Sequence, residues 1–204
     1  MTAVLAVVWA LAGAAVWAGP AAAAVKFSAK DQADIGKIER YINNIGTLKA
    51  KFLQVAPNGE TNEGHIYLSR PGRLRVEYAP PSPILIIGNG HWLIYHDSDL
   101  EQTSYESLSD NLAGVLVAKD VKFSGKITVT GLKRSRGVIR IMMVMTEDPE
   151  AGSLTLTLAS DPIKLRQWSV TDPNGQVTQV ALFNHKFGIK LDEKLFEFTE
   201  PPRE

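Results

Sequence analysis

The chain has 204 residues, with 22 Lys plus Arg against 22 Asp plus Glu, and no cysteine. A net charge of zero supplies no basic field to hold nucleic acid. Without cysteine there is no disulfide framework, no thiolate nucleophile, no Cys-type zinc site and no lipidated N-terminal Cys.

Residues 2–24 carry no charge. An apolar run over 3–17 is followed by the breaker Gly19-Pro20 and by Ala21 to Ala24. This order predicts a secretory signal peptide over 1–24, cleaved near Ala23 or Ala24. A single membrane anchor is the alternative; the short apolar core, Pro20 and the alanines favour cleavage. No Lys or Arg precedes Lys26, so the basic start of a signal peptide is missing, and the expectation is a true start upstream or a misassigned start codon. Residues 25–204 then form a single domain, long enough to bury roughly 70% of the unfolded chain's surface.

Ile35, Ile38, Ile42 and Ile45 form one stripe of a helix over 31–45, which Ser28 or Asp31 can cap and Gly46 can end. Period 2 follows. Leu48, Ala50 and Phe52 alternate with Thr47, Lys49 and Lys51. After the turn at Pro57-Asn58-Gly59, Gly64, Ile66, Leu68 and Arg70 share one face. Pro71-Gly72 turns the chain, and Leu74, Val76 and Tyr78 alternate with Arg73, Arg75 and Glu77. Pro80, Pro81 and Pro83 break it. Residues 84–87 and 92–96 read as a hairpin around Gly88-Asn89-Gly90. Residues 105–121 change to helical spacing, with Leu108, Leu112, Val115 and Leu116 on one stripe. Strands resume at 127–130, 137–145, 153–159, 165–171 and 176–186, the last two joined by Asp172-Pro173-Asn174-Gly175. Residues 191–198 read as a short helical turn or an irregular segment.

Hairpins on this scale predict a mainly β (α+β) fold of about eleven strands in a mostly antiparallel sheet. Accumulated twist curls such a sheet toward a barrel, and the early and mid-chain helices are its only cover on the dry face. A barrel of that size can hold a ligand if side chains do not fill it. No catalytic cluster accompanies it. His91 and His96 fall on opposite faces of one strand. Asp97, Asp99 and Glu101 open like a calcium loop, but Gln102 and Leu108 stand where glycine and glutamate are needed. Gly88-Asn89-Gly90 lacks a third glycine, and no Gly-x-Ser-x-Gly occurs. The reading is a non-enzyme without metal or cofactor.

These residues resemble the periplasmic outer-membrane lipoprotein carriers of LolA type. The features that carry the resemblance are the helix running into Leu48-Lys49-Ala50-Lys51-Phe52-Leu53-Gln54, and then Ser69-Arg70-Pro71-Gly72-Arg73-Leu74-Arg75-Val76-Glu77-Tyr78. Ile87-Gly88-Asn89-Gly90, Trp92-Leu93-Ile94-Tyr95, the Asp172 turn and the ending Leu195-Phe196-Glu197-Phe198 follow in order. The resemblance implies an open, unclosed antiparallel β-barrel with a helical lid. It also implies a periplasmic monomer that takes acylated lipoproteins from an inner-membrane ABC lipoprotein-releasing transporter to an outer-membrane acceptor. The arginine that bonds the lid in the family's empty form matches Arg70.

Alternation alone puts Arg70 on the apolar face, where lid-helix carbonyls could satisfy its guanidinium; a strand-end arginine pointing to water is the other reading. Candidates for an acyl-chain cavity are Phe52, Ile66, Leu68, Leu74, Val76, Tyr78, Trp92, Met143, Met145, Leu154, Leu156, Trp168, Val180 and Leu182. Leu108, Leu112, Val115 and Leu116 are the lid candidates. Any of these could equally be plain core. A carrier for another envelope lipid (glycolipid or phospholipid) and a lipoprotein-sensing interaction module stand as alternatives.

Overall fold

The computed structural model describes residues 25–110 and 112–200; the expected signal peptide lies outside the described residues. Helix α1, Ala29–Asn43, is fixed at its start by a capping box. Ser28 Oγ accepts from the Asp31 amide at 3.2 Å, and the Asp31 carboxylate accepts from the Ser28 amide at 2.9 Å. With Asn44 as C-cap, the helix begins and ends two residues earlier than the isoleucine stripe suggests. Ile45 lies beyond it and is buried nonetheless.

Eleven strands follow: β1 Thr47–Val55, β2 Thr61–Ser69, β3 Arg73–Tyr78, β4 Ile84–Asn89, β5 Trp92–Asp97, β6 Gln102–Ser107, β7 Ile127–Ser135, β8 Val138–Met145, β9 Ser153–Ser160, β10 Ile163–Thr171 and β11 Val177–Phe187. They form one antiparallel sheet in the order β6-β5-β4-β3-β2-β1-β11-β10-β9-β8-β7. Each half is a run of hairpins, and the β1–β11 pairing joins the halves. Edges β6 and β7 do not pair with each other, so the barrel is unclosed. Register shifts in the β1–β11, β7–β8 and β9–β10 pairings mark bulges, which add to the twist that curls the sheet.

Between the two edges run a 3-10 turn, Leu108–Asp110, and the short helix α2, Leu112–Val117. The helical reading of 105–121 is therefore corrected: 105–107 belong to edge strand β6, and α2 is six residues long. Strand β6 lacks an alternating apolar signal because it has a single partner and four of its six residues are exposed. Strand β7 likewise runs five residues past the expected 127–130, through Gly131 and a basic tail.

Helix α1 lies on the concave face against the β7–β10 half. Ile38 and Ile42 pack into a core with Ile141, Met143, Leu154, Leu156 and Leu158. Polar ties fix the helix there. Arg134 on β7 donates through Nη1 to Asp31 (2.6 Å) and through Nε to Asp34 (2.8 Å). The Tyr41 hydroxyl accepts from the Leu165 amide at the β10 bulge, 3.0 Å. Asn43 bonds both backbone groups of Val121, and Glu39 accepts from the Phe123 amide, so the segment after α2 is stapled to α1. At the C-terminal end, a 3-10 turn over Glu193–Phe196 crosses the outer face of β3 and β4. There Arg75 donates to the Leu195 carbonyl, and Ile87, Ile94 and Phe196 are buried.

Candidate functional site

The half of the barrel that α1 does not fill contains a hollow of about 250 Å³. Inward positions of β1, β2 and β3 supply one wall: Leu48, Phe52, Ile66, Leu68, Leu74, Val76 and Tyr78. Ile42 and Ile45 form the side toward α1. Leu154, Leu165, Trp168 and Val180 form the opposite wall, and Ile86 and Leu93 extend the first. Leu112 and Leu116 of α2 close the top. Four lining side chains are polar: Gln54, Arg70, Tyr78 and Thr178. On the other side of α2 is a second hollow of about 530 Å³, bounded by Leu108, Gly114, Val115, Val117, Val121 and Met145, with Lys119 and Lys122 also lining it. Helix α2 is thus a partition with one row of side chains in each space.

Arg70, just past the end of β2, bonds to the end of that partition. Its Nη2 donates to the Leu116 carbonyl at 2.6 Å, a carbonyl in the last turn of α2 that has no helical partner of its own. The Gly72 amide donates to the next carbonyl, Val117, at 2.7 Å. Gly72 has φ +73, and a Cβ there would stand 2.7 Å from the Gly90 Cα, so only glycine brings this amide under α2. The other Arg70 donors, Nε and Nη1, are buried and have no partner among the described residues. Burial lowers the guanidinium pKa to about 10, which leaves it charged at neutral pH. Arg70 is a partly buried cation with one of its nitrogens bonded to the end of α2.

Of the cavity candidates read from the sequence, Phe52, Ile66, Leu68, Leu74, Val76, Tyr78, Leu154, Trp168 and Val180 line the hollow. Met143, Leu156 and Leu182 lie in the core instead: they are at most 4% exposed, and none borders the hollow. Met145 borders the second hollow. Trp92 is misassigned by one residue. It is 40% exposed on the outer face beside Tyr105, and its neighbour Leu93 turns inward. Of the lid candidates, Leu112 and Leu116 face the first hollow, whereas Leu108 and Val115 face the second. Sequence reasoning missed Gln54, which continues the Leu48-Ala50-Phe52 parity past its apolar members, and Ile42 and Ile45, which already stood on the helix stripe.

Residues 43–199 match the family model described as outer membrane lipoprotein carrier protein LolA. The outer-membrane lipoprotein carrier protein of Methylococcus capsulatus is 28% identical over 174 residues, covering 81% of this chain and 83% of that one. The protein of the same description from Pseudomonas aeruginosa PAO1 is 29% identical over 183 residues, covering 85% and 87%. Among solved structures, a DUF1329 family protein from Desulfovibrio piger is similar at TM-score 0.52 and 11% identity, covering 81% of this chain and 96% of that one. An uncharacterized conserved protein from Thermus thermophilus is similar at 0.50 and 11%, covering 84% and 95%. At such identity the structures speak to the fold alone.

Proposed function

The chain belongs to the LolA family of outer membrane lipoprotein carriers, binding proteins and not enzymes, and on that premise we propose that it shuttles lipoproteins across the periplasm. In this reading residues 1–24 are an export signal removed near Ala23 or Ala24. The lipoprotein's acyl chains occupy the apolar hollow, an inner-membrane ABC transporter loads them, and an outer-membrane acceptor receives them.

The observation that carries this reading is the apolar hollow under a helix latched by Arg70. Each methylene withdrawn from water gains about 0.8 kcal/mol, so two or three long acyl chains left in water would cost on the order of 20–40 kcal/mol. A soluble carrier must cover them. At about 250 Å³ the closed hollow is smaller than the ~300–1,000 Å³ of sites that enclose a drug-sized ligand, so α2 has to move to admit such chains. Its displacement would join the hollow to the larger one behind it. The latch then sets the cost of opening and keeps capture reversible.

Native mass spectrometry of the protein purified from periplasm, with extraction of the bound lipid, tests the proposal. Triacylated lipoprotein at one to one is the expected result. Phospholipid or glycolipid alone would assign another envelope lipid as cargo. Protein that stays empty even with added lipoprotein in detergent-free buffer would refute carriage.

A further inference from the structure

The polar side chains of the hollow stand at opposite ends. Thr47 pairs with Ser69, next to Arg70; Gln54 lies seven residues further along β1, about 23 Å at ~3.3 Å per residue. At that far end Tyr78 sits opposite Gly64, Gly64 opposite Phe52, and Thr178 opposite Val170. Val170 lines the hollow yet is 37% exposed, so this end is open to solvent.

The Tyr78 hydroxyl donates to Gln54 Oε1 at 2.6 Å. That fixes the carboxamide and leaves its two N–H donors without a protein acceptor among the described residues. The Tyr78 ring is held edge-on to Phe52, centroids 5.1 Å apart at 81°. The Phe52 ring sits over Gly64, where any Cβ would run into that ring and the Glu77 carbonyl. The pair is therefore preorganised. Burial and the neighbouring Tyr95 raise the Tyr78 hydroxyl pKa to about 12, so it stays neutral.

We propose that Gln54, oriented by Tyr78, reads an ester carbonyl at the head of the cargo's acyl chains, which run from this mouth toward Arg70. The inference rests on the carrier reading and adds what the apolar wall cannot supply, a distinction between acyl esters and plain hydrocarbon. The mouth favours an uncharged acceptor. Its donors are neutral, the cation of the hollow is at the other end, and the charge acting on Tyr95 beside Tyr78 is the negative Asp97.

The test compares a diacylglycerol with the dialkyl glycerol ether of equal chain length, which lacks the carbonyls, by native mass spectrometry on the full protein. The wild type is expected to prefer the ester about fivefold or more, the value of one satisfied hydrogen bond. Gln54→Leu should lose the preference, its affinities for the ester and the ether converging. Tyr78→Phe keeps the ring and should reduce the preference, which covers the case of a poorly folding Gln54 variant. Equal binding of the two lipids by the wild type, or an undiminished preference in both variants, would overturn the mouth site and leave carriage standing. Binding of neither lipid would overturn carriage itself.

Discussion

Replacing Arg70 with leucine separates the latch from the fold. The substitution removes the charge-assisted, partly buried bond from Nη2 to the Leu116 carbonyl, 2.6 Å long. Such bonds contribute about 1.5–3 kcal/mol. It also removes two buried donors, Nε and Nη1, whose desolvation no protein group offsets. These effects oppose each other in global stability, so the thermal midpoint is expected to change little. In the lid equilibrium the Leu116 bond is one that the closed form makes and the open form lacks, the Gly72–Val117 bond being unchanged by the substitution. Losing about 1.5–3 kcal/mol there raises the open-to-closed ratio roughly 10- to 150-fold. Where the wild type is mostly closed, the apparent Kd for an acyl ligand falls by the same factor until the open form dominates. Release slows, because closure no longer helps expel the chains. The assay is titration of a fluorescent long-chain acyl probe, followed by stopped-flow transfer to acceptor vesicles and a melting curve on the same preparation. Arg70→Lys should lie between, keeping the charge but losing the planar fork. If Arg70→Leu binds and releases within twofold of wild type while remaining folded, α2 is not held by this arginine and the reasoning fails.

Three further outcomes follow from the same geometry. Gly64→Ala forces a methyl against the Glu77 carbonyl and the Phe52 ring; it should destabilise by about 1–3 kcal/mol in urea titration, as overpacked sites do. Leu156→Ala, in the filled half, should cost about 2–5 kcal/mol and leave acyl-probe affinity within about threefold, whereas Trp168→Ala, at the wall of the hollow, should shift affinity by more than that. The Arg134 clamp is pH-dependent. Hydrogen bonds from Ser28 and then Arg134 lower the Asp31 pKa to about 2, and Arg134 lowers that of Asp34 as well. A carboxylate with a depressed folded-state pKa stabilises above its unfolded value and loses that contribution as pH falls through the folded one. The melting-temperature gap between wild type and Arg134→Ala should therefore hold above about pH 5 and close between about pH 4 and pH 2; a gap unchanged at pH 2 would refute the clamp.

The successive hairpins were legible because their signals were local, whereas the β1–β11 pairing that joins the two halves was not. Leu74, Val76 and Tyr78 alternate with Arg73, Arg75 and Glu77 in a strand dry on one face, and the Asp172 turn closes a hairpin whose carboxylate accepts from the Asn174 and Gln176 amides. What was not legible depends on contacts far along the chain. Trp92 outranks Leu93 in apolar area, yet parity points Leu93 inward. The outer face of β5 can carry Ile94 because the 3-10 turn at Glu193–Phe196, a hundred residues later, covers that side. Met143, Leu156 and Trp168 share one kind of inward position. Only where α1 comes to rest decides that the first two are core and the third borders open space, and α1 is placed by Arg134, Leu165, Val121 and Phe123.

The two helices differ in what a ligand can displace. Helix α1 is fifteen residues long, buries Ile38 and Ile42, and is tied through Asp31, Asp34, Glu39, Tyr41 and Asn43 to the sheet and to the segment after α2. Moving it would expose the core. Helix α2 is six residues long, too short to be stable by itself. Among the described residues its end is held by the Arg70 and Gly72 bonds, and its two apolar rows already border empty space on both sides. Acyl chains that push α2 aside exchange contacts with Leu112 and Leu116 for contacts of their own, and break about two hydrogen bonds. A chain of methylenes gains more than that by burial, so loading is favourable. In the proposed carrier role the opposing cost is stored in bonds that re-form once the chains leave, which would favour release to an acceptor of modestly higher affinity without an energy source on the carrier.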